Sequence, residues 1–270
     1  MNTVDLEKLF GDYLQKKVVS DERYRNEEAL EDDMGRLFDE WVAAPDEKLS
    51  GKSPSEYVEE LSARGELKDY IWNVIDAGLS VSPLLDDAVR KEGDAVTFLI
   101  NLILEKKKAA EEYAMPLITD IGGEEAEDYC IKVLADKDAD DYLSARAYDF
   151  LATAGERAAD KILAVIKDAD AQTQEIYADI LSNYRGNKEI YYWLVTLLYR
   201  GENVPLLADL LAKYDNPAAI EVLKAFAEQF DINYLEFKEL RYAVERLGGE
   251  WTLEKDFSGD ALYRYEHPEE

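Results

Sequence analysis

Residues 134–155, LADKDADDYLSARAYDFLATAG, decide the fold. The aspartate-rich opening reads as a turn. Ala145, Arg146, Ala147 and Leu151 then mark a helix that stops at Gly155. A second apolar helix follows through Ala158, Ile162, Leu163 and Ile166 and ends near Asp168. Related patterns centre on Ile118 with Gly122, Leu181 with Gly186, and Leu211 with Asp215. The apolar anchors Ile118, Leu151, Leu181 and Leu211 stand 33, 30 and 30 residues apart. One helix pair cannot bury its own apolar face, so a repeat of this length implies an all-α stack of antiparallel helix pairs.

Outward from this stretch, helix pairs are expected over 109–121 with 124–136, 140–153 with 155–168, 171–184 with 188–200, and 203–213 with 216–230. A final helix over 233–247 ends at Gly248-Gly249. Toward the N-terminus the pattern is less regular. Helices are expected over 4–18 and over 26–44, the second carrying Leu30, Met34, Leu37, Phe38, Trp41 and Val42 and stopping at Pro45. Ser53 and Pro54 read as N-cap and first position of the next helix. A helix over 67–77 ends at Gly78, Pro83 opens another, and Ala95, Phe98, Leu99, Leu102 and Ile103 mark a buried one. The tail, 248–270, is expected to form a short hairpin or lie extended, its aromatic residues capping the last repeat. The chain therefore reads as one continuous array: a variant section over 1–103, repeats over 104–247, and a capping tail over 248–270.

Leu134, Asp136, Ala145, Arg146, Ala147, Leu151 and Gly155 together resemble the HEAT repeat, with Asp in a turn and Arg-x-x-x-x-Leu before a Gly. The resemblance is good for that unit and degenerate elsewhere, since no Arg equivalent precedes Leu181 or Leu211. It covers roughly 104–230 and implies a right-handed α-α superhelix, a HEAT-like solenoid, biased toward binding rather than chemistry. A second stretch, 41–56 (WVAAPDEKLSGKSPSE), resembles the W-x-x-x-P…L-x-G-K-x-P-x-E signature in the toxin-binding region of Xre-type antitoxins. Trp41, Pro45, Leu49, Gly51, Lys52, Pro54 and Glu56 carry it, and helix stop, glycine turn and proline-started helix account for it structurally.

Composition narrows the function. The net charge of −29 comes from 60 acidic and 31 basic residues. Phosphate backbones and anionic membranes are bound through clustered Lys and Arg, so neither nucleic acid nor membrane is an expected partner. No apolar run spans a bilayer, and the acidic, amphipathic start lacks the pattern of a secretory signal, so a cytoplasmic protein is expected. The single Cys130 lies in an apolar run, which excludes an internal disulfide framework and reads as a small buried filler.

Catalytic candidates are few. The sole histidine, His267, is expected in a frayed segment, which leaves Ser-His-Asp and Cys-His mechanisms without an ordered base. Asp136, Asp138, Asp140 and Asp141 resemble the opening of a calcium loop. However, Asp141 replaces the required glycine and Ala147 the bidentate glutamate, so they read as turn and N-cap residues. Asp32-Asp33 and Asp86-Asp87 read as solvated helix faces. No catalytic residue, cofactor or metal ligand is assigned.

One surface stands out. Over 188–200, Ile190, Leu194, Leu197 and Leu198 share one face, while Tyr192 and Tyr199 lie nearly opposite beside Thr196 and Arg200. Second helices of HEAT-like pairs line the concave side, so the resemblance implies that both tyrosines face a groove, with Arg157, Lys161 and Lys224 adding positive charge. The expectation is a non-enzymatic scaffold that binds a protein or peptide there, with a basic partner as the sharper reading. The alternatives are a HEAT-like enzyme of DNA-glycosylase or bilin-lyase type, which the acidic charge disfavours, and an acidic antitoxin-like or DNA-mimicking protein.

Overall fold

A computed structural model describes residues 3–268. Among them every regular element is helical and there is no strand. No helix among the described residues is long and apolar enough to cross a membrane. The chain divides into two compact units, Met1–Ala126 and Glu127–Glu270.

The first unit contains α1 (Leu6–Ser20), α2 (Glu27–Asp32), α3 (Met34–Ala43), α4 (Pro54–Ala63), α5 (Leu67–Asp76), α6 (Pro83–Arg90), α7 (Ala95–Leu104) and α8 (Lys108–Ile121). The single helix expected over 26–44 is in fact two, broken at Asp33. The cause is a set of donors around one carboxylate: the Asp33 side chain accepts from Tyr24 Oη at 2.8 Å and Arg36 at 2.7 Å, and pairs with Arg23. Past the break, Trp41 is buried in a ring cluster with Phe10 and Phe38, at centroid distances of 5.1 and 5.5 Å. Ser53 and Glu56 form a reciprocal capping box on α4, with Pro54 in its first turn. Gly51 supplies the positive φ, 82°, that the preceding turn requires.

The second unit follows with α9 (Glu124–Ala135, begun just before the boundary), α10 (Asp141–Leu151), α11 (Glu156–Val165), α12 (Ala171–Leu181), α13 (Lys188–Arg200), α14 (Val204–Tyr214), α15 (Ala219–Gln229), α16 (Tyr234–Arg246) and α17 (Ala261–Glu266). Asp140, Asp170, Asn187 and Asn233 cap α10, α12, α13 and α16 through their side chains. The anchors Leu151, Leu181 and Leu211 are fully buried. The tail forms no hairpin. It runs without regular structure to Asp260 and then turns into α17. Phe257, Tyr263 and Trp251 pack on Tyr234 and Phe237 of α16, so ring contacts rather than strand pairing hold it.

Side-chain bonds recur at separations close to the sequence period. In the second unit Tyr148 donates to Asp179, 31 residues on, at 2.8 Å, and Arg185 pairs with Asp215, 30 on, at 2.9 Å. Lys213 reaches back 34 residues to Asp179 at 2.6 Å. Tyr184 donates to the Leu151 carbonyl and accepts from the Gly155 amide, while Tyr214 donates to the Asn187 carbonyl. Within the first unit, Lys107 pairs with Asp76 and Arg90 with Asp120 at similar separations.

Candidate functional site

The surface around α13 is built from its buried side outward. Asn187 caps the helix, accepting from Glu189 and Ile190 amides. Ile190, Leu194, Leu197 and Leu198 are buried, which fixes the helix rotation and turns Tyr192 and Tyr199 to solvent at 64% and 40% exposure. Tyr199 stands edge-on to Phe226 and Phe230, at 5.6 and 5.8 Å, and those two rings stack at 4.5 Å. Phe230 is itself 38% exposed. Between the tyrosines, Thr196 Oγ1 donates to the Tyr192 carbonyl at 2.7 Å. Arg200 turns away, lying over the Trp193 ring at 5.3 Å and donating to Gln174 Oε1 at 2.8 Å.

The other expected site residues lie apart from this patch in role. Arg157 clamps Glu127 with two nitrogens, Nε at 2.9 Å from Oε2 and Nη2 at 2.7 Å from Oε1. Lys161 lies 3.4 Å from Glu127 and 2.6 Å from Asp128. Glu127 is only 2% exposed, and the guanidinium of Arg157 holds its carboxyl below the usual range against the opposing effect of burial, with Lys161 adding to it. Both cations are thus tied to a buried carboxylate. Lys224 sits 4.0 Å from Glu221 on α15. Phe230 was missed in the sequence. The available signal was its place four residues after Phe226, on the face that meets Tyr199.

Cys130 is buried, and that burial pushes its thiol up to about 12. His267 is not frayed: its ring stacks on Tyr263 at 4.5 Å, and Nε2 lies 3.1 Å from Tyr234 Oη. In the Asp136–Asp141 stretch, Asp136 accepts from the Asp138 amide and Asp140 from the Tyr142 amide. Asp87 is exposed as expected, but Asp86 is half-buried. Its Oδ1 is enclosed beside the Tyr113 hydroxyl, and burial pushes the carboxyl up to about 6. In the 41–56 stretch, Trp41 and Leu49 are buried, Lys52 pairs with Glu60, and Glu56 completes the capping box. An open cleft of about 860 Å³ runs beside it, along Leu9, Tyr13, Lys16 and Val19 of α1 and facing Pro45, and is lined also by Lys48 and Asp12, which pair at 2.7 Å.

No protein-family model matches this sequence, and its comparison with curated proteins finds no significant match.

Proposed function

We propose that the chain is a non-enzymatic, HEAT-like helical-repeat scaffold of the cytoplasm that binds a protein or peptide on the surface of α13, with Tyr192 and Tyr199 as anchors. The carrying observation is the pair of exposed rings, Tyr192 and Tyr199, on α13, whose opposite face is buried, with Phe230 from the end of α15 beside Tyr199. Tyrosine offers a large apolar area and a hydroxyl on a side chain with few rotamers, which suits a binding anchor. Side-chain bonds at separations near 30 residues support the stacked-repeat reading, because each repeat of a solenoid contacts its neighbours. The buried, high-pKa thiol of Cys130 is not a ready nucleophile, which favours binding over catalysis. The excess of carboxylates favours a protein or peptide partner over nucleic acid or membrane.

The test is affinity capture from the native cell with the unaltered chain and with Tyr192→Ala/Tyr199→Ala. The double variant should keep its helical circular dichroism and lose the captured partner. Capture that is indifferent to both substitutions would remove α13 as the binding surface.

A further inference from the structure

We infer that the segment received at Tyr192, Tyr199 and Phe230 is cationic, an extended peptide that lays arginine or lysine side chains over these rings. The inference rests on the binding role proposed above. An exposed aromatic face attracts a cation through its quadrupole. The protein already uses this contact internally, with Arg200 over Trp193 and Lys238 over Tyr234. What distinguishes the patch is that its rings are exposed and, among the described residues, no cation lies over them. Arg200 is turned to Gln174, Lys255 donates to the Phe230 carbonyl at 2.8 Å, and Lys224 lies beside Glu221.

The carboxylates around the patch have the opposite status. Glu189 lies one turn before Tyr192 on α13, Glu202 just past the helix end, and Glu228 and Asp231 on either side of Phe230. All four are exposed, and among the described residues none has an ion-pair partner. An anionic segment would meet uncompensated carboxylates, and an apolar one would leave them unanswered. A cationic one answers both rings and carboxylates, and the net charge of −29 draws it in. Lys188, exposed on the same face of α13, opposes it, as do Arg200 and Lys255, whose partners are neutral; among the described residues none of these cations has an ion pair.

The experiment titrates the full chain with labelled Gly-Ser peptides of one length carrying arginine, its neutral isostere citrulline, or glutamate. The arginine peptide should bind saturably, the citrulline peptide on the order of tenfold more weakly, and the glutamate peptide not at all. Tyr192→Phe/Tyr199→Phe should retain the affinity, while Tyr192→Leu/Tyr199→Leu should lose on the order of tenfold, since only the phenyl face preserves the cation contact. Lys188→Glu should tighten binding. Citrulline binding as well as arginine overturns the cationic partner while leaving the binding role intact. Arginine binding that ignores the leucine variants shows attraction to the acidic surface at large, and removes the rings from it.

Discussion

At the scale of single residues, Asp86 shows what a sequence conceals. It adjoins Asp87 in the chain and both read as solvated, yet one is exposed and the other turned inward beside Tyr113. Burial raises its folded-state pKa from 3.8 to about 6, and the Tyr113 hydroxyl and Arg90 offset only part of that rise. A raised carboxyl pKa favours folding while the group is protonated. Its contribution is therefore full below about pH 4 and is lost as pH rises through 6. Asp86→Asn should accordingly stabilise the protein at pH 8, with the gain over the native chain shrinking to nothing as pH falls toward 4. Urea unfolding of both chains across that range checks it, and a gain independent of pH would place the cause elsewhere. The caps, Ser53 and Asp140 among them, were legible because the donor they serve lies two or three residues along. Asp33 and Asp86 were not, because what decides them comes from other elements: Tyr24 and Arg23 for the first, Tyr113 for the second.

At the scale of elements, most helix limits followed from apolar spacing with Pro, Gly and Asn at the ends. The failures fell where a contact between elements overrides the local pattern. Asp33 cuts one expected helix into two, and a ring cluster, not strand pairing, holds the tail expected as a hairpin or an extended cap. The packing of α9 and α11 depends on a tie of this kind, the clamp of Arg157 on Glu127. Arg157 looks like a surface cation, and an exposed pair contributes about 0–1 kcal/mol. Its partner is buried, however, and an unsatisfied buried acceptor costs about 1–3 kcal/mol. Burial of the carboxylate decides the outcome. Arg157→Ala should destabilise by about 2 kcal/mol, whereas Arg185→Ala, whose partner Asp215 is exposed, should cost under about 1 kcal/mol. Equal losses in chemical denaturation would contradict this account of Glu127.

At the scale of the whole molecule, the all-helical class was legible from the period alone, because apolar anchors 30 residues apart need neighbours to bury them. The bonds between successive helix pairs were not legible, since a Lys or Arg gives no sign in sequence of which carboxylate it will reach. Likewise the division at 126/127 records compactness, whereas the change of pattern near 103 records the character of the sequence. Of the candidate patch, helical arithmetic gave the two tyrosines, and only folding added Phe230 from the adjoining helix. The recurring long-range bonds carry a consequence for how such a chain changes over generations. Positions 127 and 157, 179 and 213, and 185 and 215 are strangers in sequence yet directly bonded. Drift at one member is tolerated when its counterpart drifts with it. An alignment of relatives should therefore show coupled substitutions concentrated at a separation near thirty, like the teeth of a comb. Coupling spread evenly over all separations would mean that these bonds have exerted no hold on the sequence.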